Sequence, residues 1–205
     1  PYIHLFKMWR FDIWLLIAAG ASLCRYGLLT WIPTYYNEVF HVDVEAGILG
    51  TVLLPLGMAF GTLSVSTITD KFCPTNRLPA VIICAIGAGA TVFFFPQVGP
   101  GVGASILLFV AGFFVYGIHG VLWAFAADIG GRVFAGTATG ILDWAAYMGA
   151  SIQAIFFGAA IAGSNWNILF VTIGGTCVLV AVLAIIAGLG LNKKASVNGN
   201  GDVSA

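Results

Sequence analysis

Five polar side chains stand inside long apolar runs, where no water solvates them: Arg25, Tyr116, His119, Asp143 and Tyr147. Arg25 offers the most defined chemistry. Its guanidinium is a planar fork of donors that suits tetrahedral oxyanions. It lies about 20 Å along its run from the nearest basic end, at ~1.5 Å per residue. An arginine at the centre of a bilayer costs at least about 2.5–3.5 kcal/mol, so it must face a cavity or a partner. Two roles meet that demand: a permanent helix–helix salt bridge, or a cation that binds a ligand or couples an ion; the second is the favoured reading. Asp143 is the matching anomaly, at similar depth in a later run. A carboxylate there is a neutral acid bonded to a neighbour, a fixed partner of Arg25, or a group that takes up a proton or competes with an anion for Arg25. His119 can relay protons or serve as a hydrogen-bonded packing residue. It shares a helical stripe with Gly112, Tyr116 and Trp123. Tyr147 follows Asp143 by one helical turn, so the two share a face. No HExxH, GxSxG, Walker loop or paired-carboxylate pattern is present, and the sequence points to no enzyme, no metal site and no cofactor.

The elements that carry these residues are membrane spans. The chain is 60% hydrophobic and 8% charged, with mean hydropathy +1.01. A soluble domain averages about 25% charged residues, so lipid is the solvent this surface fits. The apolar runs are helical in length. Six are read, at 11–32, 44–69, 78–98, 104–127, 133–162 and 166–191. Pro33 is expected to end the first, Pro74 and Pro79 to frame the second loop, Gly99-Pro100-Gly101 to mark the third and Gly163-Ser164-Asn165 the fifth. Lys7, Arg10, Lys71, Arg77, Arg132, Lys193 and Lys194 then fall on one side, seven of the eight basic residues. The positive-inside rule makes that side the cytoplasm and places both ends of the chain there. The expected location is the cell (inner or plasma) membrane. Net charge is zero, so bulk electrostatics call for no nucleic-acid partner.

Other features fit the same frame. The chain starts at Pro1 with no signal-peptide pattern, which suggests a partial chain. Residues 1–191 read as one six-helix unit, and 192–205, rich in Gly, Asn and Ser, as a disordered cytoplasmic tail. Cys24, Cys73, Cys84 and Cys177 form no CxxC pair and read as packed or lipid-facing thiols. Trp9, Trp14, Trp31 and Trp166 read as interfacial belt anchors. Gly57, Gly61, Gly136, Gly140, Gly149 and Gly158 are placed to let helices pack closely.

The run Arg25-Tyr-Gly-Leu-Leu-Thr-Trp-Ile-Pro-Thr-Tyr-Tyr36 resembles the seventh helix of the organophosphate:phosphate antiporter family. That family includes glycerol-3-phosphate and hexose-phosphate transporters and a sugar-phosphate sensor, within the major facilitator superfamily. Ala135-Gly-Thr-Ala-Thr-Gly140, followed by Tyr147-Met-Gly149, is similar to its eleventh helix. Asp70-Lys71 with Arg77 resembles a shortened form of the superfamily's acidic–basic loop between helices eight and nine. The resemblance runs along nearly the whole chain. It implies an all-α integral membrane fold, the C-terminal six-helix half-bundle built of two inverted three-helix repeats, with an N-terminal six-helix half missing.

By the same resemblance, Arg25 matches the arginine that clasps the substrate phosphate together with a first-helix arginine. Tyr116 and Tyr147 match cavity tyrosines of helices ten and eleven. Val115 stands before Tyr116 where the family has isoleucine. Leu54-Pro55 replaces an aromatic–acidic pair of the glycerol-phosphate branch, Asp143 a small residue, and Arg132-Val133 paired lysines. The expected function is half of a secondary transporter for a small organic anion, an organophosphate such as glycerol-3-phosphate or a sugar phosphate, working by alternating access. Inorganic phosphate or protons are the expected counter-substrates. Arg25, Tyr116 and Tyr147 are the expected substrate contacts, with Asp143 and His119 as coupling or gating groups. The alternatives are a membrane sugar-phosphate sensor, a proton-coupled organic-anion symporter and a non-transporting assembly subunit.

Overall fold

The computed structural model describes residues 9–41, 48–73, 76–161 and 165–199. The described residues form six long apolar helices and no strand. Helix α1 spans Trp9–Phe40, α2 Ile48–Phe72 and α3 Leu78–Phe94, the last followed by a 3₁₀ turn at Phe95–Gln97. One helical run, Val102–Ile161, breaks at Gly131, with φ 54° and ψ −162°. That left-handed φ is open to glycine and strained for other residues. The break divides the run into α4, Val102–Gly131, and α5, Val133–Ile161. Helix α6 spans Trp166–Gly199. Each of the six is long and apolar enough to cross a membrane. Many large apolar side chains point outward, among them Leu63, Ile155 and Val171. Such a surface needs lipid or a partner around it.

Several boundaries correct the sequence reading. Pro33 does not end α1, which continues to Phe40. A proline inside a transmembrane helix is tolerated when neighbouring helices hold the chain. Here Tyr35 sits in an aromatic cluster, with ring centroids 5.3 Å from Trp166, 5.1 Å from Phe170 and 5.6 Å from Phe40. Between α4 and α5 the helical run is interrupted at Gly131 and no longer loop intervenes. Helix α6 continues through 192–199, part of the expected disordered tail. Lys193, Lys194 and Ala195 are good helix formers and no proline interrupts them. Lys7, the expected start of the second span at Val44, Pro74, Ala162, Gly163, Ser164 and residues 200–205 lie outside the described residues.

The packing relates two triplets of helices. Helix α1 meets α5 where a methyl at Gly149 would overlap the carbonyl of Ala19. Helix α4 meets α2 in the same manner: methyls at Gly57 and Gly61 would overlap the carbonyls of Phe109 and Phe113. Helix α1 also packs on α6, where Cys24 and Cys177 lie 3.7 Å apart, sulfur to sulfur. In the corresponding place α3 packs on α4, with Gly87 against the Phe114 ring. Helix α3 meets α6 at Gly89, where an added methyl would lie 3.3 Å from Cys177, and the 3₁₀ turn after it meets α6 through Phe95 and Phe170, ring centroids 5.6 Å apart. Exchanging α1, α2, α3 for α4, α5, α6 maps each of these contacts onto another or onto itself. Helices α1 and α4 run in opposite directions, since Trp14 pairs with Phe125 and Arg25 with Tyr116. This is the arrangement of two inverted three-helix repeats.

Small residues thus bring backbones together, as in other membrane bundles. Within the described residues this role falls on Gly57, Gly61 and Gly149 of the six glycines singled out in the sequence. Added methyls at Gly136 and Gly140 would meet nothing, and one at Gly158 would only graze Trp31. The belt assignment of the tryptophans also needs correction. Trp14 is fully buried and stacks on Phe125 at 4.1 Å. Trp31 donates its indole N–H to Gln153 Oε1 at 3.0 Å, tying α1 to α5.

Candidate functional site

Arg25 lies in the middle of α1, half-buried, on the side of that helix that meets α4 and α5. Its guanidinium carbon is 4.5 Å from the ring centroid of Tyr116 on α4 and 4.6 Å from that of Tyr26. Both distances fall within the range of cation–π attraction. Aromatic rings hold a guanidinium through its faces and leave its N–H edges free. Arg25 Nε is buried and has no hydrogen-bond partner. An unsatisfied buried donor costs free energy that a ligand can recover.

An open cleft adjoins this group. Ser22, Arg25 and Tyr26 line it from α1, His119 and Trp123 from α4, and Asp143, Ala146 and Tyr147 from α5. The helix spacing explains the set. Ser22 lies one turn before Arg25, Trp123 one turn after His119, and Ala146 and Tyr147 one turn after Asp143. Tyr26 and Tyr147 face each other with ring centroids 6.4 Å apart.

The five residues singled out in the sequence converge at this place with distinct surroundings. Arg25, His119, Asp143 and Tyr147 line the cavity. Tyr116 lies behind Arg25, between it and His119. The Tyr116 and His119 rings stack at 4.8 Å. His119 is fully buried, with Nε2 3.0 Å from the Ser22 hydroxyl and Nδ1 3.4 Å from the Val115 carbonyl. Since a carbonyl only accepts, the arrangement fits a neutral ring with the proton on Nδ1 and Ser22 donating to Nε2. Asp143 is half-buried. Arg25 and Asp143 do not form an ion pair. Among the described residues the ion pairs are those of Arg77 with Asp70 and with Asp128.

That second cluster lies at one end of the bundle. Arg77, just before α3, binds Asp70 at the end of α2 and, through Nε at 2.9 Å, Asp128 near the end of α4. Burial disfavours the charged form of Arg77, but its hydrogen bonds to the two carboxylates outweigh this and hold its pKa above the ordinary value. The sequence reading grouped Asp70, Lys71 and Arg77 as one loop motif and missed Asp128, 51 residues from Arg77 in the chain.

Sequence reasoning also missed Tyr26, Ser22 and the Trp31–Gln153 bond. Tyr26 follows Arg25 directly, and adjacent helical residues do not ordinarily face each other. The long arginine stem overcomes that by folding over the ring. Ser22 carried a usable signal, its one-turn spacing from Arg25. Nothing local marks Gln153 as the partner of Trp31.

Comparison with known proteins agrees with this architecture. Residues 1–153 match the model of the Major Facilitator Superfamily. The chain is 29% identical over 161 residues to the "Glycerol-3-phosphate transporter" of Bacillus subtilis, covering 77% of this chain and 36% of that protein. It is 27% identical over 188 residues to the "Probable hexose phosphate transport protein" of Chlamydia pneumoniae, covering 88% and 41%. It is 28% identical over 186 residues to the "Membrane sensor protein UhpC" of Salmonella typhimurium, covering 86% and 39%. The chain therefore spans about two fifths of the length of these curated relatives. These relatives are transporters and a sensor, not enzymes. The chain is a multi-pass membrane protein that belongs to the Major Facilitator Superfamily, and within it resembles the organophosphate:phosphate antiporters.

Proposed function

We propose that this chain is the second six-helix half of a secondary transporter for a small organic anion, an organophosphate such as glycerol-3-phosphate or a sugar phosphate. The observation that carries the reading is Arg25: mid-helix, beside a cleft, held by aromatic faces and, among the described residues, without a carboxylate partner. A structural arginine at that depth would be neutralised, because an unpaired buried charge is costly. Arg25 instead keeps donors for an incoming anion. A guanidinium fork takes a phosphate in bidentate fashion, which an ammonium cannot do.

In this reading the half rocks against a preceding half, and the central site opens to each side in turn. Arg25 is the main anion ligand. Tyr147 borders the site, Tyr116 supports Arg25, and His119 fixes Tyr116 through its stack and its bonds to Ser22 and Val115. The positive-inside rule supports a cytoplasmic side for the Arg77 cluster and for both ends of the chain, in the cell membrane. Inorganic phosphate and protons are the counter-substrates that suit this site.

A second reading has one specific support, the similarity to a protein named as a membrane sensor. A sensor would bind the same anion without moving it. Reconstitution of the full-length protein in liposomes separates the two. Uptake of labelled glycerol-3-phosphate or glucose 6-phosphate into phosphate-loaded vesicles supports transport. Saturable binding without uptake supports the sensor, and neither binding nor uptake rejects the organophosphate reading.

A further inference from the structure

Helices α1 and α4 run antiparallel, and two of their contacts form successive rungs of one register. Arg25 lies three residues after Ser22, and its partner Tyr116 lies three residues before His119. One rung is the cation–π contact of Arg25 with Tyr116. The other is the 3.0 Å hydrogen bond between the Ser22 hydroxyl and His119 Nε2. A cation over a ring face tolerates a range of positions. A hydrogen bond is short and directional, so the second rung sets the register more tightly. The register matters to Arg25. A slide of one turn, about 3.6 residues, would bring Gly112 or Gly120 opposite it in place of the Tyr116 ring. Trp14 and Phe125 add an apolar stack further along the same two helices. Ser22 and His119 are each 1% exposed, so both ends of the bond are covered by this chain's own helices.

We propose that Ser22 is a positioning residue of the anion site: by donating its hydroxyl proton to His119, it locks α1 and α4 in the register that sets Arg25 against Tyr116. The inference rests on the reading of Arg25 as the anion ligand and adds to it a residue that acts without touching the anion. The Val115 carbonyl faces His119 Nδ1 at 3.4 Å and can only accept, so Nδ1 carries the ring proton and Nε2 is left as an acceptor. Ser22 has one hydroxyl proton, and the bond to Nε2 takes it. Ser22 borders the cleft, yet it has no donor left for an anion there. Removing the hydroxyl leaves Nε2 a buried acceptor without a partner, a cost that shifting or turning the imidazole relieves. The imidazole stacks on Tyr116 at 4.8 Å, so its displacement moves the ring that holds Arg25.

The test is calorimetric titration of glycerol-3-phosphate into the purified full-length protein, with melting temperatures recorded, for the wild type, Ser22→Ala and Ser22→Thr. Ser22→Ala should bind about three- to tenfold more weakly, the size of one lost hydrogen bond, and Ser22→Thr, which keeps the hydroxyl, should stay within about twofold of the wild type. In a His119→Leu background Ser22→Ala should cost nothing further, since the two groups act as one unit. Nitrogen-15 spectra of histidine-labelled protein, with the His119 signals identified by their loss in His119→Leu, should show the proton on Nδ1 and an Nε2 resonance that shifts in Ser22→Ala. Wild-type affinity in Ser22→Ala overturns the proposal, whatever its melting temperature, because the bond is then structural only. Equal weakening by Ser22→Ala and Ser22→Thr, further weakening by Ser22→Ala when His119 is leucine, or a wild-type His119 protonated on Nε2 also overturns it, and each leaves the anion reading standing. A wild type that binds no glycerol-3-phosphate overturns both. If Ser22→Ala does not fold, His119→Leu takes its place, and unchanged affinity in that variant overturns the proposal.

Discussion

In the proposed site Tyr116 acts on anion binding through Arg25 rather than by touching the anion. Its ring centroid is 4.5 Å from the guanidinium carbon of Arg25 and 4.8 Å from the His119 ring. A cation–π contact is worth about 0.5–1 kcal/mol at exposed sites and about 2 kcal/mol when desolvated. Arg25 is half-buried, so removing this ring should cost about 1–2 kcal/mol of positioning, or about 5–30-fold in affinity. Tyr116→Leu removes the ring, while Tyr116→Phe keeps it and removes the hydroxyl. The bond from the Thr62 hydroxyl to the Tyr116 carbonyl is a main-chain contact and survives both changes. Titration of glycerol-3-phosphate into the full-length protein, with melting temperatures as a control, should show Tyr116→Phe close to wild type and Tyr116→Leu weakened about 5–30-fold. Equal damage from the two variants would show that the hydroxyl meets the ligand directly. A harmless Tyr116→Leu would show that the ring does not hold Arg25, and the reasoning would be wrong.

Two further outcomes test the frame around the site. Arg77→Ala removes two ion pairs that join the ends of α2, α3 and α4, whereas Asp128→Asn weakens one exposed pair worth about 0–1 kcal/mol; thermal unfolding in detergent should drop clearly for the first and barely for the second. Single cysteines at Lys71 and at Asn37, in a background without native thiols, should label from opposite sides of the membrane, Lys71 from the cytoplasm, and labelling of both from one side would contradict the assigned orientation.

The sequence made the spans legible because the bilayer imposes one simple demand, a long run of apolar residues with an internally satisfied backbone. Arg25 and Asp143 were legible for the converse reason, since each breaks that demand at a cost. What stayed hidden depends on helix rotation and partner choice. Trp14 and Trp31 fit an interfacial belt equally well on paper, but one stacks on Phe125 inside the bundle and the other bonds Gln153 across it. Gly57 and Gly136 look alike in the chain, yet a methyl would overlap a backbone carbonyl at the first and meet open space at the second. Pro33 was read as a stop because the aromatic cluster that holds Tyr35 brings together residues from α1, the 3₁₀ turn after α3, and α6, whose proximity no local pattern reveals. The Arg25–Asp143 pairing was one of the options left open from depth alone. The tyrosine rings that engage Arg25 became visible only once α1 and α4 were placed side by side.

The central claim is that Arg25 is the anion ligand, and Arg25→Lys tests it most directly. The substitution keeps the positive charge and removes the fork. Organophosphate binding and liposome uptake should be measured together on the full-length wild type and on this variant, with melting temperature recorded for both. The account predicts that both activities fall by at least about tenfold, the loss expected when a bidentate charged contact becomes a single one, while the melting temperature stays within a few degrees. Near-normal binding and uptake by Arg25→Lys would remove Arg25 from the site and contradict the account.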